Sequence, residues 1–392
     1  LLHGSGSVRV KASLHYIAVN LVASLLFLIG VALIYGVTGT LNMADLALRI
    51  PQVASENRML LEAGAGVLGV AFLVKAAMWP LGFWLPSTYA AATAPVAALF
   101  AIMSKVGVYV VLRLWLLLFG VDSGDSAHFG SEWLLAGGVI TIVFGSVGAL
   151  ASQDLSRLAG FCVIISSGTL LAVIATGDVA VVAAALFYLV SSTLALSALF
   201  LLVELAERGR RAGADILAVT LEAFGEFDEE SLEYEDIGTA IPATMAMLGL
   251  SFVCCALLIS GLPPLSGFIA KFALLRALLD PLGFAGSGVI PLVSWLLMAV
   301  LLISSLGALI AMTRAGIRAF WAPLGRSVPR VRVIEMAPIL LLLLLCATLT
   351  VKAEAAMRYL QATAQAVYAP SDYIHGVLSA PRVAAPHAEG EP

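Results

Sequence analysis

Long, continuous runs of apolar residues dominate this chain and restrict it to one class of fold. Because the apolar residues do not alternate with polar ones, they predict helices and argue against membrane-spanning β-strands. Of the 392 residues, 61% are hydrophobic and only 12% are charged, whereas ~25% are charged in a typical soluble domain. A helix needs ~20 apolar residues to cross a bilayer. The sequence therefore predicts an all-α integral membrane protein, a polytopic helical bundle with about nine membrane elements at residues 13–36, 60–86, 94–119, 133–151, 156–175, 179–204, 241–280, 291–316 and 334–352.

Two of these elements, the second and the seventh, are expected to be broken helices. Both contain prolines, and the seventh is too long for a single span. Proline removes a backbone donor and clashes with the preceding turn, which lipid tolerates only where protein or a wet cavity satisfies the freed carbonyls. A simple kink is the alternative, but discontinuous helices often build ion sites. The breaks are predicted at Pro80, Pro86, Gly261, Pro263 and Pro264.

Three lysines lie inside the apolar runs, each at a depth near the middle of the bilayer. At ~1.5 Å per residue, Lys75 lies ~22 Å and Lys105 ~17 Å into their elements, and Lys271 lies ~13 Å before Asp280. A charge at this depth costs at least ~2.5–3.5 kcal/mol on insertion scales. We therefore expect Lys75, Lys105 and Lys271 to form a relay for protons or ions.

The lysines have no evident acidic partner in the sequence. Glu62, Glu204 and Glu335 all lie at or near the ends of spans. Burial disfavours the ammonium form of lysine, so a lysine in such a position can exchange its proton near neutral pH. The alternative is snorkelling to an interface, which suits Arg113 and Arg276 better than the central lysines.

The distribution of Lys and Arg in the loops predicts the orientation of the bundle. The side that holds the N-terminus is rich in arginine, so we expect it to be cytoplasmic and the C-terminus to be external. A cytoplasmic loop is expected at 205–239. Its strongly acidic stretch at 222–236 is either a solvated loop, a funnel that concentrates cations or a docking surface for a partner. The transmembrane domain is predicted to cover 1–368, and the composition of 369–392 predicts a disordered tail.

Nothing in the sequence indicates a metal or cofactor. The four cysteines fall in apolar runs without CxxC spacing, and the five histidines are scattered. Gly64–Gly69 matches G-x-G-x-x-G, but the dinucleotide fingerprint needs a preceding strand and a later acidic residue. These glycines are better explained by close helix packing. We expect no cofactor, no metal site and no nucleic-acid partner.

Two motifs resemble those of a known family. The run KAAMWPLGFWLPSTYAAATAPVAALFAIMSKVGVYVVLR and the segment GLPPLSGFIAKFALL closely resemble the antiporter-like family. This family comprises the proton-conducting membrane subunits of respiratory NADH–quinone oxidoreductase and of Mrp-type sodium/proton antiporters. The context of Tyr89 and of Lys105–Tyr109 is more similar to the Mrp branch. The resemblance covers most of residues 10–320.

The resemblance implies a fold and a role for each lysine. The family has a 14-helix core with two inverted five-helix repeats, and the elements here match its helices six to fourteen. Lys75, Lys105 and Lys271 would then be the lysines of helices seven, eight and twelve. A glutamate on the family's fifth helix pairs with the seventh-helix lysine, and we expect the chain to lack that N-terminal portion. Ser87, where relatives often carry Asp, and the acidic insertion depart from the pattern.

The resemblance implies a secondary transporter component and not an enzyme. We expect a proton-translocating subunit of a multisubunit Na⁺ or K⁺/proton antiporter, located as a multi-pass protein in the bacterial inner cell membrane. Its expected partners are other membrane subunits, the lipid bilayer, protons and the exchanged cation. The alternatives are a proton-channel subunit of NADH–quinone oxidoreductase or a membrane-bound hydrogenase, and a structural scaffold with vestigial lysines.

Overall fold

The computed structural model describes residues 6–224, 243–279, 290–321 and 333–380, and this part of the chain is helical without a β-strand. Short 3₁₀ turns at Ile50–Gln52 and Gly124–Ser126 and a π-helical turn at Ile317–Trp321 complete the regular structure. The α-helices are α1 Ser7–Thr38, α2 Met43–Arg49, α3 Ser55–Ala76, α4 Leu85–Ala91, α5 Ala94–Leu118, α6 Ser131–Ala151, α7 Leu155–Ile174, α8 Val179–Phe224, α9 Ala243–Ser260, α10 Ser266–Leu279, α11 Leu292–Gly316, α12 Val333–Val351, α13 Ala353–Tyr368 and α14 Ser371–Leu378.

The helices confirm the predicted all-α membrane fold. Eight segments in the described ranges are long and apolar enough to cross a membrane, and α9 adds a shorter apolar helix at Thr244–Ser260. Helix α7 is the central one, since nearly all of its most apolar stretch is buried inside the protein. The eight segments are Arg9–Thr38, Ser55–Ala76, Ala94–Leu118, Gly124–Ala151, Leu155–Ile174, Val179–Glu207, Leu292–Phe320 and Ile334–Val351.

Both predicted helix breaks are present. Helix α3 stops after Ala76, and Pro80 lies in the non-helical segment before α4. In the seventh element, α9 ends at Ser260 and α10 begins at Ser266, with both prolines between them. Pro86 differs from the prediction, because it lies in the first turn of α4, where a helix does not need its missing N–H. It therefore begins the second half-helix and does not lie in the break.

Glycines allow α1 and α3 to pack closely against each other. A Cβ added at Gly64 of α3 would come within 2.9 Å of Leu33 Cβ on α1, and one added at Gly30 of α1 would come within 2.7 Å of Leu68 N on α3. Gly66 has nothing within 4 Å of such a Cβ. Within the Gly64–Gly69 motif, Gly64 thus lies in the tight contact between α1 and α3, whereas Gly66 does not.

Helix α8 is longer than the hydropathy predicts. A loop is expected from residue 205, but α8 continues to Phe224 as a 46-residue helix, about 69 Å long at ~1.5 Å per residue. The bilayer core is only ~30 Å thick, so hydropathy marks the end of the membrane span and not the end of the helix. The extension is rich in Ala, Leu, Glu and Arg, which have high helix propensity. Most of the acidic stretch, 225–236, lies outside the described residues.

The C-terminal region holds two helices that the apolar runs do not predict. Helix α13 packs against α8 and α5, and α14 packs against α2. Arg113 near the end of α5 lies 4.5 Å from the ring centroid of Tyr373 on α14. These contacts order residues 371–378, so the prediction of a disordered tail from 369 does not hold for this helix. Residues 381–392 lie outside the described part of the chain.

The contacts at the two ends of the bundle fit an alternating path of the chain. At one end, Arg314 of α11 donates to the carbonyl oxygen of Leu150 at the end of α6, and Arg318 donates to the side chain of Gln153. At the other end, α14 meets α2. The end of α6 and the end of α11 therefore share one face of the bundle, whereas the α1–α3 connection and the C-terminal helices share the other.

The glycine contact between α1 and α3 makes a stability prediction. Gly64→Ala should lower the melting temperature of the purified protein, because the added methyl group overlaps Leu33 and overpacking costs about 1–3 kcal/mol. Gly66→Ala is the matched control on the same helix and should leave the melting temperature unchanged or raise it, since alanine is the better helix former. Equal melting temperatures for the two variants would contradict this packing.

Candidate functional site

The three intramembrane lysines share one property, which is that every described hydrogen-bond partner of their ammonium groups is neutral. Among the described residues, none of the three forms a salt bridge. Two of the carboxylates considered from the sequence are engaged elsewhere. Glu62 accepts from Ser126 at 3.0 Å, and Glu204 accepts from the backbone N–H of Ala94 at the start of α5 at 2.7 Å.

Lys75 lies in the last turn of α3, immediately before the first break. Its ammonium group donates to Oδ1 of Asn20 on α1. A positive charge at this position is favoured by the partial negative charge at a helix C-terminus. Helix α5 passes very close by, because a Cβ at Gly107 would come within 3.1 Å of Lys75 Cβ. Lys75 is half-buried and is held between α1 and α5.

Lys105 lies near the middle of α5 and is 2% exposed. Its Nζ donates to Ser166 Oγ at 2.7 Å and lies 3.4 Å from Ser167 Oγ, both on the central helix α7. Hydroxyl groups accept hydrogen bonds without contributing a counter-charge. Lys105 is therefore buried with polar partners that do not hold it in the charged form as a carboxylate would.

The side chain of Lys271 on α10 reaches back to the end of α9 and hydrogen-bonds there, across the second helix break. Its Nζ donates to the carbonyl oxygens of Ile259 at 2.9 Å and Ser260 at 3.1 Å, and to Ser305 Oγ on α11 at 2.8 Å. The last carbonyls of a helix have no partner within the helix, and they carry the negative end of its dipole. The break therefore supplies the acceptors, and the lysine satisfies carbonyls that lipid could not.

Gly261 makes this geometry possible. Its φ is +77°, and a Cβ there would lie 2.5 Å from Lys271 Cδ. A left-handed backbone conformation is favourable for glycine and costly for other residues. Gly261 thus allows the turn that ends α9. Because it has no side chain, it also leaves room for the Lys271 side chain to reach the freed carbonyls.

One small cavity is lined by a hydrogen-bond partner of Lys105 and by one of Lys271. Its lining includes Ser166, which accepts from Lys105, and Ile259, which accepts from Lys271. Tyr188 and Ser191 of α8 also line it, and Ser191 forms a hydrogen bond of 2.8 Å with Ser266 at the start of α10. The described lining of this cavity includes none of the three lysines and not Asn20. A hydrogen-bond partner of Lys105 and one of Lys271 therefore face the same small cavity, whereas the partner of Lys75 does not.

A second cavity, of about 270 Å³, lies between α10 and α11. Lys271 and Ser305 form part of its wall, and most of the remaining lining is leucine and phenylalanine. The Lys271–Ser305 pair therefore contributes the polar part of the wall of an otherwise largely apolar cavity.

Sequence reasoning missed the neutral partners of the lysines. These partners are Asn20, Ser166 and Ser305, and a feature of the sequence indicates each of them. Asn20 is the one amide side chain in α1, and the other two belong to Ser-Ser pairs inside apolar helices. Buried polar groups in membranes are hydrogen-bonded, so an isolated amide or a paired hydroxyl in an apolar run indicates a partner across the helix interface.

Comparison with protein families identifies a match over most of the chain. The family described as "NADH:quinone oxidoreductase/Mrp antiporter, TM" matches residues 2–289. Among curated relatives, a probable K(+)/H(+) antiporter D-subunit of Rhizobium meliloti is 58% identical over 97% of this chain and 71% of its own length. A Na(+)/H(+) antiporter D-subunit of Bacillus subtilis is 32% identical over 96% of this chain and 69% of its own length.

Solved structures share the fold at lower identity. A chain of the Mrp complex from a Dietzia species superposes with a TM-score of 0.74 at 23% identity, covering 95% of this chain and 71% of that chain. A chain of the archaeal membrane-bound sulfane sulfur reductase superposes with a TM-score of 0.72 at 22% identity, covering 96% and 69%. At such identities the likeness shows the fold alone.

The turn at Gly261 makes a prediction for stability. Gly261→Ala should lower the melting temperature, because the strained backbone costs about 1–3 kcal/mol and the methyl group displaces the Lys271 side chain. Gly36→Ala is the control, since a Cβ at Gly36 meets nothing within 4 Å. The two variants are compared by thermal unfolding in detergent. A melting temperature for Gly261→Ala equal to that of the control would refute the steric role of Gly261.

Proposed function

We propose that this chain, which belongs to the NADH:quinone oxidoreductase/Mrp antiporter family of transmembrane proteins, is the D-subunit of a multisubunit antiporter that exchanges Na⁺ or K⁺ for protons. Its own part in that exchange is proton translocation through Lys75, Lys105 and Lys271. The observation that carries the proposal is the set of hydrogen bonds that, among the described residues, pairs each intramembrane ammonium group with neutral acceptors.

The relatives favour an antiporter over a redox complex. The proteins that are 58% and 32% identical are named as antiporter subunits, whereas a chain of respiratory complex I from Thermus thermophilus matches at 21% identity, with a TM-score of 0.70. The chain is thus a component of a secondary transporter and not an enzyme. The proposal includes both cations because one relative is named for K⁺ and the other for Na⁺.

The proposed relay follows from the electrostatics of the site. A proton on one lysine raises the local potential and makes the next lysine less able to hold its own proton. Neutral acceptors support the ammonium form without fixing it, because charge-assisted pairs with a carboxylate are roughly twice as strong as neutral hydrogen bonds. The three acceptors of Lys271 make it the most firmly held proton site of the proposed relay.

The proposed setting is a bacterial cell membrane. The chain is a multi-pass protein, and the other membrane subunits of the complex supply the rest of the cation path. Residues 1–368 form one transmembrane domain, and the end of the bundle with Arg314 and Arg318 faces the cytoplasm together with the acidic stretch 222–236. The excess of arginine at that end supports this orientation.

Lysine replacements test the relay. Lys75→Ala should abolish cation-driven proton flux in vesicles while the complex stays assembled, because alanine removes a costly buried charge and preserves the helix. Lys105→Ala and Lys271→Ala should also impair flux. Arg276→Ala is the matched control, since Arg276 is exposed in the last turn of α10, and it should have a smaller effect.

The flux is measured with imposed Na⁺ and K⁺ gradients at matched expression levels. Full flux in Lys75→Ala vesicles would remove this lysine from the relay and leave snorkelling as its explanation. Loss of flux in Arg276→Ala equal to that in the lysine variants would show a general effect of charge removal instead.

A cysteine at position 228 tests the orientation. In Asp228→Cys, a membrane-impermeant thiol reagent should label the protein only after the cells are permeabilised. The unchanged protein is the control, because Cys162, Cys255 and Cys346 are buried and Cys254 is half-buried within α9. Labelling of the variant in intact cells would reverse the proposed orientation.

A further inference from the structure

We propose that Tyr188 of α8 is a positioning residue for Lys105. Its hydroxyl group orients the side chain of Ser166 so that the serine oxygen faces the lysine ammonium group. The inference rests on the proposed function, because it assigns a new residue to the relay. Its basis is a group of three buried hydroxyl side chains beside Lys105, on helices α7 and α8.

The side chains of this group are enclosed by helices of this chain. Lys105, Ser166 and Thr169 are each 2% exposed, and Tyr188 is 5% exposed. Their helices pack against one another, since α7 contacts α8 and both contact α5. The immediate contacts of Lys105 therefore come from these three helices and not from a surface that another segment or subunit could cover.

The hydrogen bonds of Ser166 leave one donor to be placed. Its oxygen accepts from Lys105 Nζ at 2.7 Å, so its single hydrogen is available to another acceptor. Serine and threonine inside helices often donate to the carbonyl oxygen one turn earlier, and Thr169 does so to Ile165 at 2.9 Å. Among the hydrogen bonds of the described residues, Ser166 makes none of this kind. Its hydrogen is therefore available to a partner on another helix.

Tyr188 is placed to be that partner. Its hydroxyl group lies within hydrogen-bonding reach of Ser166 and Thr169, and it lines the same small cavity as Ser166. In one consistent arrangement, Lys105 donates to Ser166 and Ser166 donates to Tyr188. Tyr188 then donates to Thr169, whose own hydrogen is used by Ile165. Each hydroxyl hydrogen thus has an acceptor, and the serine oxygen remains directed at the ammonium group.

This arrangement strengthens the acceptor of Lys105. Hydrogen bonds in a chain polarise one another, so a serine that donates to a polar partner is itself a better acceptor. Without the Tyr188 hydroxyl group, the Ser166 hydrogen would turn to the carbonyl oxygen one turn earlier in α7. The ammonium form of Lys105 would then be less well supported, and its proton would leave at lower pH.

Other titratable groups lie on the helices around Lys105. Helix α5 packs against α2, α3, α4, α7, α8 and α13. Lys75 lies against α5, since a Cβ at Gly107 would come within 3.1 Å of Lys75 Cβ. Within the described residues, the titratable groups on these elements are Asp45 and Arg49 on α2, Glu56, Arg58, Glu62 and Lys75 on α3, Tyr89 on α4, Tyr109 and Arg113 on α5, Arg157 and Cys162 on α7, Tyr188, Glu204 and Glu207 on α8, and Glu354, Arg358, Tyr359 and Tyr368 on α13.

Two substitutions test the role of Tyr188 without changing any charge in this set. Tyr188→Phe removes only the hydroxyl group and should move the pH profile of flux to lower pH by about 0.5 unit, or about threefold in proton affinity. Ser166→Ala removes the acceptor itself and should move the profile in the same direction by about one unit, or about tenfold.

The double variant separates positioning from an independent effect. If Tyr188 acts through Ser166, then Tyr188→Phe should add no further shift once Ser166 is alanine, because the group that it orients is gone. Two residues that contribute independently would instead give a shift equal to the sum of the single shifts.

The experiment measures cation-driven proton flux from about pH 5.5 to about pH 9.5, a range that spans the shifts expected for a buried lysine, in vesicles that contain the intact complex with the full-length protein. Tyr359→Phe is the matched control, because it removes the same hydroxyl group from a side chain on α13 that is 73% exposed. It should leave the profile unchanged. Copurification of the partner subunits verifies assembly of each variant.

The outcomes separate this inference from the proposed function. A shift to lower pH in Tyr188→Phe that disappears in the Ser166→Ala background supports it. A loss of flux in Tyr188→Phe with an unshifted profile shows that Tyr188 only maintains packing, and additive shifts show that it acts apart from Ser166; either result overturns the inference. If the Ser166→Ala variants do not assemble, the profile of Tyr188→Phe decides alone. An absence of cation-driven flux in the unmodified complex overturns the proposed function and, with it, this role of Tyr188.

Discussion

The contact between Lys271 and the end of α9 shows the constraint on which the structure depends. Lipid cannot satisfy a free backbone carbonyl or an isolated ammonium group, and each costs several kcal/mol there. The break exposes the carbonyls of Ile259 and Ser260, and Lys271 donates to both. The free carbonyls and the ammonium group would each be unfavourable in lipid alone, but hydrogen bonds between them satisfy both. The helix break and the lysine beside it therefore stabilise each other.

The same constraint acts differently at the other two lysines. Lys105 lies near the middle of α5, and the central helix α7 supplies hydroxyl groups as its acceptors. Lys75 lies at the end of a helix, but its partner is the amide of Asn20 on another helix. The three sites thus use three kinds of neutral acceptor. Such acceptors make a buried charge tolerable without making it permanent, which is the property that a transferable proton requires.

Hydropathy predicts the membrane elements because the bilayer acts on each segment separately. The lysines and the breaks are also readable from the chain, since proline and charge are rare in apolar helices. Hydropathy does not show how far a helix continues after it leaves the membrane. Helix α8 has 46 residues, more than twice the ~20 that a span requires, and α13 is an amphipathic helix that packs against α8. Neither the extension of α8 nor α13 contains a long apolar run, so neither was predicted.

The sequence by itself determined the class of fold, the spans, the two breaks and the three candidate lysines, because these depend on local hydrophobicity and on the chemistry of single residues. Only the tertiary structure decided which groups the lysines meet. Asn20 is 55 positions from Lys75, and Ser166 is 61 positions from Lys105. The first pair joins α1 to α3, which Gly30 and Gly64 allow to approach closely. The partner of a buried charge is set by helix packing, which no single segment encodes.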